Sequence, residues 1–259
     1  MTYSRQLYQF PLSLYCEKTR WNLDWKQLDW QPVNLIPGPH VLRAWPLARQ
    51  RTLPILRDGR KIIGDSTAIA LYLEQHYPQH ALLPKNSSQS REILELENEF
   101  DALGADVRRC VWSLAVDSHD IDVLFFRGYE NEQRRIGHWM RPALRQMIRH
   151  TFDVWPEPVE SSWLTVFRAL EKVESRLHKD ADRYLVGDQF SLADLTAASM
   201  LAPLLGPAGS PWLDEYMPAT AMTSNSITSH AELRQKLRSS LAGQWINRLY
   251  GQHRPRTDA

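Results

Sequence analysis

Thr52-Leu53-Pro54-Ile55-Leu56-Arg57-Asp58-Gly59-Arg60-Lys61-Ile62-Ile63-Gly64-Asp65-Ser66-Thr67-Ala68-Ile69 packs a strand, a turn, a second strand and a helix start into one short stretch. Thr52 to Leu56 is an extended run, Asp58-Gly59 favours a tight hairpin turn, and Lys61 to Ile63 carries the chain back. Asp65 or Ser66 can then cap a helix in which Ile69, Leu73 and Tyr77 recur at helical spacing until Pro78 stops it. Pro54 makes the first run unusual. Proline cannot donate to a sheet ladder, so it needs an edge position, a bulge, or a cis bond that turns the N–H and C=O of Leu53 outward. Backbone groups freed in that way can pair with an extended peptide ligand as an added strand does.

Upstream, the apolar run Leu7 to Phe10 ends at Pro11, and Ser13 to Leu28 contains no helix breaker. Leu28, Trp30 and the run Val33 to Ile36 suggest a second strand, closed by Pro37-Gly38-Pro39. The order is βαβ, loop, ββα. Downstream, Pro84 to Ser90 is polar and aperiodic, which reads as a linker. Beyond it Leu96, Phe100, Leu103, Val107, Cys110 and Leu114 trace one helical face. Further helices are predicted through Phe126 to Phe152, Ser162 to His178, Leu192 to Leu205 and Ala231 to Tyr250. The expected fold is therefore a two-domain α+β and all-α chain. Residues 1–84 form the βαβ-ββα domain, 85–90 a linker, 91–250 an all-helical domain, and 251–259 a disordered tail.

A chain of 259 residues suits two domains, and 43% hydrophobic with 24% charged residues is the composition of an ordinary globular protein. The net charge of +1 gives no general attraction to nucleic acid or to an anionic membrane, so an anionic ligand needs a local site. Cys16 and Cys110, the only two cysteines, are far apart and form no C-x-x-C pair, which fits a reducing cytoplasm and suggests neither disulfide nor zinc site. The histidines form no H-E-x-x-H pattern, so no metal is expected. No run approaches the length of a membrane span.

Two places concentrate chemistry. The loop before the first helix places Ser13 and Cys16 one turn apart at a helix N-terminus, where open amides and the helix dipole favour a bound anion such as a thiolate. Gly64-Asp65-Ser66 places a carboxylate, a hydroxyl and the amides of another helix start together. Asp65 can take a ligand ammonium while the Ser66 hydroxyl and amide take a carboxylate, which matches the α-amino-acid end of a γ-glutamyl group. Arg141, Arg145 and Arg149 form a basic stripe read as a solvated helix face. Trp112, Trp139, Trp155 and Trp163 are read mainly as core, a few of them shaping an apolar pocket.

Taken in order, these motifs resemble the glutathione S-transferase superfamily. Ser13-x-x-Cys16-x-Lys18-x-Arg20 looks like its S/C-P-x-C-x-K-x-R, Thr52 to Leu56 like T-V-P-V-L, and Asp65 to Ile69 like E-S-x-A-I. Val186 to Asp194 resembles G-x-x-x-S-x-A-D, physically a capping box in which Ser191 caps a helix and Asp194 reaches back. The resemblance implies a thioredoxin-like first domain and glutathione as co-substrate. Ser13 falls at the activating position, with Cys16 and Tyr15 as alternatives; the alternative functions are glutathione-dependent thiol-disulfide exchange or peroxide reduction through Cys16, and a non-catalytic binding protein on the same fold. Leu53, next to Pro54, would pair with the cysteinyl backbone, and Asp65 and Ser66 with the γ-glutamyl end. His40 and Arg51 would reach the glycine carboxylate, and Leu14, Tyr15 and Trp112 would line the pocket of a small apolar electrophile. The resemblance further implies a cytoplasmic homodimer with a detoxifying role.

Overall fold

The computed structural model describes residues 5–118, 121–126, 141–212 and 225–254. Strands β1 (Arg5–Gln9), β2 (Trp30–Asn34), β3 (Ile55–Asp58) and β4 (Lys61–Gly64) form one sheet in the order β2-β1-β3-β4. Helix α1 (Leu14–Trp25) makes the crossover between the parallel strands β1 and β2, while β3 runs antiparallel to β1 and β4. Pro32 is tolerated because β2 is an edge strand, where it faces Leu7. Alternation along β1 and β3 sends Leu7 and Leu56 to one face, with Ile69 and Leu73, and sends Tyr8 and Ile55 to the other, with Cys16, Ala44 and Leu53. Helix α3 (Ser66–His76) follows β4 and packs on α1.

One helix stands where a loop was expected. Helix α2 (Val41–Ala48) follows Pro37-Gly38-Pro39 and carries Pro46 within it, and both features mask its periodicity. It lies on the surface with Ala44 inward and Leu42 and Trp45 exposed.

The rest of the described chain is helical: α4 (Ser87–Ala115), α5 (Ile121–Phe125), α6 (Arg141–Thr151), α7 (Pro156–Leu177), α8 (Leu192–Leu205), α9 (Asn225–Ser239) and α10 (Leu241–His253). Every residue of α8 is buried, and α4, α1, α9 and α10 pack around it. A helix apolar on all sides has to be central. Asp194 secures its start by accepting from the Ser191 N–H (2.9 Å), the Ser191 hydroxyl (2.6 Å) and the Leu185 N–H (2.8 Å).

Several expected boundaries move. The predicted linker 85–90 already contains the start of α4, because Asn86 accepts from the Ser88 N–H at 3.0 Å and caps the helix at Ser87. The single helix expected over Ala231 to Tyr250 is two, broken at Ser240, whose hydroxyl caps α10. Of the helix expected over Phe126 to Phe152, α6 covers the second part, and residues 127–140, including Trp139, lie outside the described residues. The expected disordered tail is corrected at its beginning. Helix α10 runs to His253, and Arg254 is buried between Glu17 (2.9 Å) and Asp24 (2.6 Å) of α1. Residues 255–259 of that tail lie outside the described residues.

The basic stripe is no solvated face. Arg141 pairs with Asp122 (2.6 Å), Arg149 with Asp117 (2.6 Å), and Arg145 donates to the Ser118 carbonyl (3.0 Å), so the three fasten α6 to the chain that follows α4. Trp155 is exposed rather than core, whereas Trp112 and Trp163 are half-buried. Among the described residues no helix is long and apolar enough to cross a membrane, and no group of His, Cys, Asp and Glu is placed to hold a metal ion.

Candidate active site

Ser13 caps α1 with an extended backbone (φ −90°, ψ 126°), and its Oγ accepts the Cys16 N–H at 3.4 Å. The same hydroxyl neighbours the Cys16 thiol. Tyr15, half-buried, donates its hydroxyl to the Asp101 carbonyl of α4 at 3.2 Å. Burial pushes the Tyr15 phenol up to about 12, so it is a neutral donor already in use. Cys16 is fully buried among Tyr8, Ala44, Leu53 and Ile55. Burial raises its thiol, outweighing the downward pull of Arg20 and Ser13. A buried thiol with a raised pKa is a poor nucleophile.

Leu53 lies beside Cys16 in that cluster, and the Leu53-Pro54 bond is cis. Among the described residues nothing hydrogen-bonds to the Leu53 N–H or C=O, although Gln50 Nε2 donates to the carbonyls on either side, Thr52 (2.8 Å) and Pro54 (3.2 Å). Gln50 in turn lies across Gly64. A Cβ there would fall 1.8 Å from its Oε1, so the glycine lets this loop close over the end of β4.

Asp65 caps α3 from a left-handed backbone (φ 70°), a conformation that L side chains rarely adopt. Its Oδ1 accepts from the Thr67 N–H (2.9 Å) and the Ala68 N–H (3.0 Å), which leaves Oδ2 open on an exposed side chain. Among the described residues the Ser66 N–H has no partner. The Ser66 hydroxyl, expected to face a ligand, is buried instead and donates to Asp101 Oδ1 at 3.2 Å. Only its amide is left to take a carboxylate.

His40, expected to reach a ligand carboxylate, has both ring nitrogens engaged. Nδ1 accepts the Gly38 N–H (3.0 Å), so Nε2 carries the proton and donates to the Arg51 carbonyl (2.8 Å). The Arg51 guanidinium is exposed, 5.9 Å from the Trp45 ring centroid and without an ion pair. Leu14, placed in the pocket by its motif position, is buried in the main core, where its Cδ1 and the Tyr15 hydroxyl both lie 2.7 Å from where a Cβ on Gly104 would stand. Trp112 stacks on Phe152 at 6.0 Å with rings 9° apart.

The hub of the site was absent from the sequence reading. Lys18, fully buried, donates to Asp101 (2.6 Å), Thr67 (2.9 Å) and Glu97, filling its three N–H positions with groups from α3 and α4. Asp101 thereby gathers Lys18, Ser66 and Tyr15 at one residue. A signal existed: Glu97, Asp101, Gly104 and Arg108 repeat at steps of four, three and four beside the apolar face of α4.

Residues 7–81 match the family model of the glutathione S-transferase N-terminal domain, and residues 156–220 match that of the C-terminal domain. Over 212 residues the chain is 37% identical to glutathione S-transferase 1 of Dianthus caryophyllus, covering 79% of this chain and 80% of that one. It is 29% identical over 196 residues to a zeta-class glutathione S-transferase of Euphorbia esula, covering 73% and 71%. Glutathione transferase GSTFuA3 of Phanerochaete chrysosporium shares the fold, with a TM-score of 0.60, 18% identity and 99% of each chain covered. With motifs, sheet order and relatives in agreement, the chain belongs to the glutathione S-transferase superfamily and is a glutathione S-transferase.

Proposed function

We propose that this transferase conjugates glutathione to a small electrophile in the cleft between the sheet domain and α4, with Ser13 as the activating residue. The observation that carries the reading is the unpaired backbone of Leu53 beside the N-terminus of α1. An N–H and a C=O both left open at the mouth of a sheet suit an extended peptide ligand, and the cysteinyl unit of glutathione is one. Asp65 Oδ2 takes the γ-glutamyl ammonium and the Ser66 N–H its carboxylate. Arg51 is the better candidate for the glycine carboxylate, since His40 orders the loop by holding the Arg51 carbonyl.

The chemistry follows from that placement. The glutathione thiol releases its proton to solvent, and the Ser13 hydroxyl and the positive end of α1 stabilise the thiolate. Sulfur then attacks the electrophilic carbon, and the leaving group departs with its electron pair. A fall of about one or two units from a free thiol pKa near 8.5 raises the nucleophile concentration at neutral pH about tenfold or more. The burial of Cys16 speaks against the alternative of thiol-disulfide exchange through that residue. Family resemblance adds a cytoplasmic homodimer divided near residue 85.

Turnover of an aryl halide with glutathione, compared between wild type, Ser13→Ala and Cys16→Ser, tests this. Loss in the first variant and retention in the second is the expected pattern. Equal rates in wild type and Ser13→Ala would remove Ser13 from the mechanism.

A further inference from the structure

Arg108, on α4, is a cation that the mechanism above does not use. It lies one helical turn beyond Gly104 on α4, and Gly104 is the point at which the Tyr15 hydroxyl touches that helix. Its guanidinium sits 4.7 Å from the centroid of the Phe152 ring, and Phe152 stacks on Trp112 one further turn along. Among the described residues, the Arg108 Nε is shut off from solvent without a hydrogen-bond partner, and the side chain makes no ion pair. The carboxylates on the same stretch of helix are taken: Asp106 by Arg109 (3.1 Å) and Ser162 (2.6 Å), and Asp101 by Lys18 and Ser66.

We infer that Arg108 is a specificity residue of the second-substrate pocket and selects an electrophile that carries a carboxylate. A guanidinium lying over an aromatic ring uses its face, while its N–H donors point outward in the plane, the fork that matches a carboxylate. Leaving such a group half-buried without a counter-charge is unfavourable, and a carboxylate ligand removes the penalty. Burial lowers the Arg108 pKa, and the Arg108 charge opposes the larger rise that burial imposes on Tyr15, in the first turn of the helix that Ser13 caps. The Trp112 and Phe152 rings would hold the apolar body of the substrate. The inference rests on the transferase reading and narrows its substrate from a neutral apolar electrophile to an apolar one bearing an acid.

The test uses p-(chloromethyl)benzoate and its uncharged counterpart p-methylbenzyl chloride as electrophiles, with wild type, Arg108→Met and Arg108→Lys. The unreactive p-toluate serves as an equilibrium binding probe. A charge-assisted contact of about 1.5–3 kcal/mol corresponds to about 10- to 100-fold. Arg108→Met should lose about that factor in kcat/KM on the acid and in p-toluate affinity, keep its rate on the neutral chloride, and be partly rescued by lysine. Equal losses on both chlorides, or unchanged p-toluate binding in Arg108→Met, would overturn the inference. If wild type turns over neither chloride, the transferase reading with these probes fails, and the p-toluate comparison still decides the role of Arg108.

Discussion

Two cations, Lys18 and Arg108, live under opposite conditions. Lys18 reaches α4 from α1 and finds three oxygen partners, two of them carboxylates, with almost no exposure to solvent. Arg108, farther along α4, has an aromatic ring beneath it and no anion among the described residues. The same division separates other groups. Glu17 is buried between Arg20 (2.8 Å) and Arg254 (2.9 Å), while among the described residues the Leu53 backbone and the second oxygen of Asp65 are open. The paired groups named here tie the sheet domain to α4 and α10, and the open ones lie where the proposed ligand would sit.

The largest expected effect comes from breaking the saturated side. Lys18→Met leaves the buried Glu97 and the half-buried Asp101 without their cation, at a cost of about 3–5 kcal/mol. Denaturant unfolding should show it as a lower midpoint with an unchanged slope. A loss below about 1 kcal/mol would mean that the pair is only a surface-like contact. Glu17 gives the pH counterpart. Although burial alone would raise its pKa, Arg254 and Arg20 hold it below the ordinary carboxylate range. A carboxylate with a lowered folded pKa stabilises above its unfolded value and loses that contribution as the pH falls through the folded one. Acid unfolding should therefore steepen below the ordinary carboxylate range, and Glu17→Gln should flatten it.

The open side predicts loss of activity without loss of fold. Ser13→Ala should lower the conjugation rate about 10- to 100-fold, the effect of one or two thiol pKa units, while the lost cap removes no more than about 1 kcal/mol of stability. Thermal unfolding beside kinetics separates the two, and a rate loss matched by a collapse of the melting temperature would assign Ser13 to structure alone. Asp65 is subtler, because one oxygen caps α3 and the other is open. Asp65→Asn can keep the cap yet cannot pair with an ammonium, so it should raise the KM for glutathione about tenfold with kcat nearly unchanged. An equal fall in kcat would place Asp65 in the chemical step.

How much of this could be read in the sequence depended on how local the cause is. Leu192 to Leu205 was legible to the residue, because a continuous apolar run after a Ser-x-x-Asp capping box is helical and buried whatever surrounds it. The hairpin at Asp58-Gly59 and the cap at Asp65 are likewise set within a few residues. Helix α2 was missed because proline markers at Pro37, Pro39 and Pro46 outweigh a short periodic segment. Lys18 and Asp101 meet across 83 residues of chain, and Arg254 meets Glu17 across 237. Nothing in a local pattern announces such a pairing, so an arginine near the chain end read as part of a tail and a motif lysine had no partner. The same distance hid the engagement of the Ser66 hydroxyl, since its acceptor lies on α4.

The smallest expected effect is the one that most sharpens the contrast between the two cations. If Arg108 were structural like Lys18, replacing it would leave partners stranded and the protein would lose stability. It has no anionic partner to strand, and its charge is partly withdrawn from water without compensation. Arg108→Met keeps an unbranched apolar stem against Phe152 and removes the charge, so the unfolding free energy should change by less than about 0.5 kcal/mol or rise slightly. Set beside Lys18→Met in the same denaturation experiment, the two variants should differ by about 3 kcal/mol or more although each deletes a single cation. A comparable loss for Arg108→Met would show that the residue belongs to the seam, and the division between holding and binding groups would then end at Gly104 rather than include the cleft.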